Sequence, residues 1–445
     1  MCDCVCLQKT GRHRRFAHEE FLSIEMTFLM IDKLILRGIA VGAFFIGSLT
    51  ASAQTDMAWT GTWGAPANLL TIHDAALSNG VARVTLRQVI RASIGGPAAR
   101  IRLSNVHGKT PLTISDVRIA QAESDKSAVA GTDRAITFGK SQSVTIAAGE
   151  SAVSDPVAFE VRPSSDVAVS MYLPGPVDAD NMSGHTQAWQ NVYLAQGDVS
   201  ASPEIIPIAL SKGALTSYFY LTNLDVQNAK AAGAVVTFGA SITDGSNSTF
   251  GANKSWEKLL AQRLNDAGMQ VGVINAGLSG NSLLRSSTFS GATGVSRFAQ
   301  DVLAQPDVRW VIFSDDPIND LSGMHPPSYE VLLGAIRQLR DEAHARGVKF
   351  YCSTLTPNMG RAADAWTPVA EATLERINAF YRSAESGCDG IVDQDTAVHD
   401  PAMPTQFLKA YNAGDFLHPN DAGHRQIANS IDLGLFATKS VSTDK

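Results

Sequence analysis

From Lys230 onward the apolar residues change their period, and that change fixes the kind of sheet this chain can build. The runs AVVTF (ending at Phe238), VGVINA (ending at Ala276), VRWVIF (ending at Phe313) and VKFYCSTL (ending at Leu355) are almost continuous stretches of apolar or β-branched residues. Such runs belong to strands buried on both faces. Between them lie stripes with helical spacing: Trp256, Leu259, Leu260 and Leu264 in one, Leu332, Leu333, Ile336, Leu339 and Ala343 in another. Each stripe puts one apolar face on a helix. Strands alternating with helices imply right-handed crossovers and a parallel sheet covered on both sides. Sites in such sheets form beyond the carboxyl ends of the strands. The loops after Phe238, Ala276, Phe313 and Leu355 are therefore where chemistry is expected.

Upstream, from Trp59 to about Val226, the period is two. RIRLSN (Arg100 to Asn105) and DVAVSMYLP (Asp166 to Pro174) alternate apolar with polar or small residues, a pattern that buries one face of a strand. Turn residues recur at short intervals (IGGP, VHGK, YLPGP) and no long helical stripe intervenes. This half reads as an all-β sandwich or jelly roll. A structural accessory role is the first expectation for it and carbohydrate binding the second.

The first fifty residues follow neither pattern. Lys33 and Arg37 precede an apolar run from Gly38 through Ile46, and Ala51-Ser52-Ala53 is a small-residue cleavage site, so a signal peptide cleaved after Ala53 is expected. The run is too short and Gly-rich for a comfortable bilayer anchor. Residues 1–25 sit ahead of the charged segment, and Met26 or Met30 reads as the natural start. The division expected is a leader over 1–53, a β-sandwich accessory domain over 57–228, an α/β domain over 231–437 and a tail over 438–445, with the mature protein secreted or periplasmic and free of integral membrane segments.

Cleavage removes Cys2, Cys4 and Cys6, a cluster without the His or second Cys pair of a metal site. Cys352 and Cys388 remain and can pair in an oxidising compartment. With 445 residues, 44% hydrophobic and 18% charged, the chain can build two or three cores. A net formal charge of -7 without a basic stripe gives no nucleic-acid footprint. Nothing in the sequence fixes an oligomeric state.

Ser241 lies three residues past the first strand of the second half, behind Gly239. Taken alone it reads as a turn or helix-capping serine. A serine nucleophile needs a base and the base an orienting group, and GDFLHPNDAGH supplies Asp415 and His418, three apart, a spacing that shares a face in a helical turn. Gly280 in NAGLSGN can expose a backbone N–H, and Asn319 in PIND can offer an amide. Alone, the first is a turn glycine and the second an Asx-turn residue. His418 and His424, six apart, are not spaced as two metal ligands on one helix face. Asp244, Asp315, Asp316 and Asp320 read as solvated or loop-capping, and Asp393 and Asp395 lie by a strand end.

In this order and on these loops, Ser241, Gly280, Asn319 and His418 resemble the naming residues of the SGNH hydrolases, also called GDSL esterases/lipases, with Asp-x-x-His-Pro-Asn at Asp415–Asn420 the most specific block. The resemblance runs from about Ala234 to Phe436, and TLRQVIRASIGG with RIRLSN looks like the β domain ahead of some bacterial members. It implies a flavodoxin-like α/β/α sandwich, ester hydrolysis and no metal or organic cofactor. Ser241 would be the nucleophile, His418 the base, Asp415 its orienting carboxylate, and Ser241, Gly280 and Asn319 the oxyanion hole. The implied substrate is a small-molecule or polymer ester, with short acyl or acetyl groups preferred. Two departures stand out. Ala240 replaces the usual Asp before the nucleophile, which predicts a looser turn, and Pro317 enters the third block, which predicts an altered path for the loop carrying Asn319. These departures also admit a second reading, a catalytically weakened SGNH-fold protein that docks on polysaccharide through its β domain.

Overall fold

The structure, a computed structural model, describes residues 58–72, 74 and 82–437. The leader and the tail assigned from sequence lie outside the described residues. Five strands of the second half pair in parallel in the order Val271–Gly277, Gly233–Gly239, Val308–Phe313, Lys349–Ser353 and Gly390–Val392. In chain order this is 2-1-3-4-5, the flavodoxin-like arrangement whose site lies where the connections diverge on either side of the first strand. Gly233–Gly239 is buried at every position, as its unbroken apolar run requires. Helix Trp256–Asp266 packs beside Asp421–Ser430, and Tyr329–Ala345 beside Pro368–Arg382, giving an α/β/α sandwich. Both apolar stripes face inward, with Trp256, Leu260 and Leu264 buried on one helix and Leu332, Leu333, Ile336, Leu339 and Ala343 on the other.

The first half is antiparallel. One sheet runs Val192–Gln196, Val84–Arg91, Asp166–Leu173, Leu112–Gln121, Arg134–Ala135, and another runs Trp59–Gly64, Leu221–Gln227, Gly96–Ser104, Ser151–Val153. Their inner faces share one core with Leu86, Ile90, Ile101, Leu103, Val167 and Val169. A third, short sheet joins Tyr218–Phe219, Met182–His185 and Asn68–Leu70. The strand Asp166–Leu173 departs from the one-face expectation, since its second face is covered too. The cause is Arg87 on the neighbouring strand. Its buried guanidinium donates to Ser170 Oγ (2.8 Å) and to the carbonyls of Lys126 (2.9 Å) and Ser202 (2.6 Å), drawing loops over the sheet.

The two halves meet along the edge strand Val271–Gly277. Gly61 and Gly64 lie so close to Ile274 that a Cβ on either would fall 2.3 or 2.5 Å from its side chain. Ser93 Oγ accepts the Val273 N–H (2.9 Å), and the Asn265 amide donates to the Ser93 carbonyl (2.7 Å). Among the described residues no helix is long and apolar enough to cross a membrane. Cys352, in the fourth parallel strand, is disulfide-bonded to Cys388, 36 residues on, with the Cα atoms 5.8 Å apart.

Candidate active site

The strand Gly233–Gly239 ends against a short helix, Ser241–Asp244, closed by Gly245 at φ 98°. Gly239 permits the sharp turn, because a Cβ there would sit 2.4 Å from both Asp315 Oδ1 and Thr243 Oγ1. The turn does not depend on an acid at position 240. Asp315, at the end of the third strand, puts one carboxylate oxygen on the N–H groups of Ala240 (3.1 Å) and Thr243 (3.2 Å) and the Thr243 hydroxyl (2.6 Å), and the other on Ile242 N–H (2.8 Å). The expected loosening at Ala240 is thus offset by an acceptor from another loop. Asp315, Asp316 and Asp320 are buried rather than solvated.

Ser241 Oγ lies 2.8 Å from His418 Nε2, and His418 Nδ1 lies 2.6 Å from Asp415 Oδ2. The Asp415–His418 segment is not the helical turn expected from its spacing. The Asp415 carboxylate instead accepts the backbone N–H groups of Leu417 (3.0 Å) and His418 (2.8 Å), with Phe416, the residue after Asp415, at φ 59°. Such a side-chain-to-backbone turn is a common use of Asp. Asn420 then caps the helix Asp421–Ser430 through the N–H groups of Ala422 and Gly423, which fixes where His418 leaves the chain. Partial burial works against the Asp415 charge, but bonds from the His418 ring and from the His418 and Leu417 backbone outweigh it, holding the carboxyl below the usual carboxylate range.

Gly280 adopts φ 78° in a turn closed by Asn281 N–H to the Leu278 carbonyl (2.9 Å), a conformation that favours glycine. The turn is tied to the nucleophile strand by Leu278 N–H to the Gly239 carbonyl (3.0 Å). Asn319 Nδ2 donates to the Asn281 carbonyl at 2.7 Å, and its second amide hydrogen has no partner among the described residues. Pro317 does not divert this loop. It falls in the first turn of helix Asp316–Leu321, where no backbone N–H is needed. Among the described residues no acceptor faces the N–H of Ser241 or of Gly280. A hydroxyl bonded to an imidazole, backed by a carboxylate and bordered by unspent N–H donors, can release its proton to the ring and form a bond to an electrophilic carbon.

Two further groups hold this site together, and local sequence pattern marks neither. Asp320 accepts from Leu283 N–H (2.5 Å) and Leu284 N–H (3.1 Å), joining the Asn319 helix to the Gly280 loop. Arg297 is buried and donates to the carbonyls of Ala276 (2.7 Å) and Gly239 (2.9 Å) and to Asn281 Oδ1 (2.8 Å), so one guanidinium spans two strand ends and the second loop. Its Nη2 also lies 3.5 Å from Asp316. Burial still lifts the Asp316 carboxyl to about 7 and that of Asp320 to about 6. Asp393 and Asp395 stand apart from this cluster, held by Arg382 at 2.6 and 2.7 Å. Asp244 is buried and bonds to His185 of the first half.

His424 turns away from His418 and donates from Nε2 to the Ser246 carbonyl (2.9 Å), while its Nδ1 has no partner among the described residues. Complete burial holds its imidazole neutral and pulls its pKa from 6.5 to about 4. A base whose folded pKa is depressed gives stability that is present above its unfolded value and lost as pH falls toward the folded one. Between pH 6.5 and 4, His424 should therefore cost the fold about 3 kcal/mol. Urea unfolding at pH 7 and pH 4.5 checks this: His424→Gln, which keeps a donor for Ser246, should shrink the acid loss by about that amount, and an unchanged difference would refute it.

The serine, histidine and aspartate thus stand in one hydrogen-bonded line at the carboxyl edge of a flavodoxin-like sheet. Residues 237–426 match the model of the GDSL-like lipase/acylhydrolase family. No curated protein matches the chain. Among solved structures it is similar to a GDSL-like lipase from Bacteroides thetaiotaomicron VPI-5482 (18% identity, 45% of this chain and 87% of that one, TM-score 0.33). It is also similar to the lipase/acylhydrolase from Enterococcus faecalis (20%, 44% and 92%, TM-score 0.35) and to an acetyl xylan esterase (20%, 44% and 96%, TM-score 0.34).

Proposed function

We propose that the chain is an exported serine esterase that removes short acyl groups, acetyl foremost, through an acyl-Ser241 intermediate. The observation that carries the reading is the continuous line from Ser241 Oγ through His418 to Asp415, at 2.8 and 2.6 Å. Ser241 Oγ bonds to the ester carbonyl carbon as its proton passes to His418 Nε2, and the ionised Asp415 holds the imidazolium that results. The carbonyl π electrons move onto oxygen, where the N–H groups of Ser241 and Gly280 and the Asn319 amide receive them. Each donor supplies about 3 kcal/mol by analogy with single-donor deletions. The tetrahedral carbon then expels the alcohol oxygen, which leaves with the proton from His418. Water repeats the sequence with His418 as base, breaking the acyl–Ser241 bond to give the acid and the free serine.

The Phe289 ring stands 3.3 Å from where a Cβ on Gly280 would lie and is 64% exposed beside that turn. A panel of p-nitrophenyl esters from acetate to decanoate, with acetylated sugars alongside, tests the reading. The highest kcat/KM is expected on acetate, and a maximum at octanoate or beyond would refute the short-acyl proposal. Export is supported by the Cys352–Cys388 disulfide, since such bonds persist in oxidising compartments, and by the leader pattern of residues 33–53. N-terminal sequencing of protein recovered outside the cytosol should begin at Gln54.

The second reading, a weakened hydrolase that docks on polysaccharide, rested on Ala240 and Pro317. Asp315 and the first-turn position of Pro317 supply physical substitutes at both places, which favours a working site. Covalent labelling of Ser241 by a fluorophosphonate separates the two readings, because a decayed site does not react.

A further inference from the structure

We propose that His185, contributed by the β half, is a positioning residue of the esterase site that sets the direction of the Gly280 N–H through Asp244 and Ser279. The inference rests on the oxyanion role proposed above for Gly280.

His185 ends the strand Met182–His185 and is buried. Its Nδ1 lies 3.2 Å from the Pro66 carbonyl and its Nε2 lies 2.8 Å from Asp244 Oδ1. Both partners are acceptors, so both ring nitrogens must donate, and only the imidazolium carries two N–H groups. Burial opposes that charge, but the Asp244 carboxylate and the Pro66 carbonyl outweigh it and raise the imidazole above its ordinary value. Across the seam between the halves, His185 and Asp244 thus form a buried ion pair, with side chains 5% and 2% exposed.

Asp244 has a second set of partners. It closes the nucleophile helix Ser241–Asp244, and its Oδ2 accepts both the backbone N–H (3.1 Å) and the hydroxyl of Ser279. Ser279 immediately precedes Gly280 in the turn closed by Leu278 and Asn281, and Asp244 is the acceptor for its N–H. One carboxylate therefore fastens the oxyanion turn to the helix that carries Ser241. Without the cation behind it, a carboxylate this buried swings toward water. That change frees the two Ser279 donors, and the peptide plane that aims the Gly280 N–H is no longer fixed. The β half would then be a part of the esterase site rather than an accessory to it.

The test uses the full chain, with p-nitrophenyl acetate as substrate and phenylboronic acid as inhibitor, because the tetrahedral boronate on a serine places an oxygen where the oxyanion forms. Rates are normalised to active sites titrated with a fluorophosphonate. His185→Gln and, separately, Ser279→Ala should each lower kcat about 10- to 100-fold. KM should stay within about twofold, and boronate affinity should fall by a factor similar to kcat. If His185→Gln does not fold, Ser279→Ala, which leaves the ion pair in place, decides the matter. Wild-type kcat and boronate affinity in Ser279→Ala would overturn the proposal, as would a loss in His185→Gln that disappears on normalisation. Activity that persists in Ser241→Ala would instead refute the acyl-Ser241 reading on which the inference rests, so the two failures are distinct.

Discussion

His418→Ala is expected to lower kcat for p-nitrophenyl acetate by about ten-thousandfold to a millionfold, with KM little changed. Among the described residues the serine hydroxyl has one base within reach, at 2.8 Å from His418 Nε2, and without it Ser241 keeps its proton at neutral pH. Ser241→Ala should cost a similar factor. The double variant should cost no more than either single one, because a hydroxyl and its base act as a unit. Asp415→Ala should cost less, about ten-thousandfold or below. Its carboxylate also accepts the Leu417 and His418 N–H groups, so part of that loss comes from a loosened turn. Turnover by the four variants, corrected for the no-enzyme rate, decides this. An additive double variant, or Ser241→Ala at wild-type rate, would remove Ser241 from the chemistry.

Asp315→Ala should be the most damaging substitution outside that line. It strands three buried backbone N–H groups and the Thr243 hydroxyl at the nucleophile turn, and unsatisfied buried donors cost about 1–3 kcal/mol each. Some of these donors relax toward new partners, so a net loss of about 3–5 kcal/mol is expected by urea unfolding, with kcat reduced about a hundredfold among the molecules that fold. Ala240→Asp should not improve the wild type. Position 240 is fully buried and its N–H already bonds to Asp315, so a second carboxylate there meets like charge without new donors. In the Asp315→Ala background the same substitution should recover part of the lost stability, since the stranded donors then have an acceptor nearby. The sign reversal between the two backgrounds is the readout; the same effect of Ala240→Asp in both would show that the two positions do not share a role.

These two predictions mark the boundary of what could be read from sequence. The four long strands and the two apolar helix stripes were legible because burial on both faces, or on one, leaves a period in the chain. The loops carrying Ser241, Gly280, Asn319 and His418 followed, since a parallel sheet places its carboxyl-end loops together. The local shape between Asp415 and His418 is not legible in this way, because i, i+3 spacing suits a helical turn and an Asx-type turn alike and only the backbone N–H partners distinguish the two. Asp315 was invisible as the acceptor for the nucleophile turn because its partners lie 72 to 75 residues earlier. For the same reason Asp244 looked solvated: its counter-ion His185 belongs to a half whose docking no single-strand pattern encodes. The Cys352–Cys388 pair could be counted in the sequence, but their 5.8 Å approach depends on the sheet setting the strand of Cys352 beside the segment that leads into Gly390–Val392.

The seam at Val271–Gly277 bears on how the catalytic half can be handled. That strand lies at the margin of its sheet, and Trp59–Gly64 shields it by means of two glycines shaped around Ile274. A gene trimmed to the catalytic half would present this apolar ribbon bare, with backbone groups ready to recruit strands from other molecules. Insolubility of such a fragment would then reflect a missing cover rather than a defect in catalysis, and chimeras that exchange the β half would need to bring the glycine pair with them.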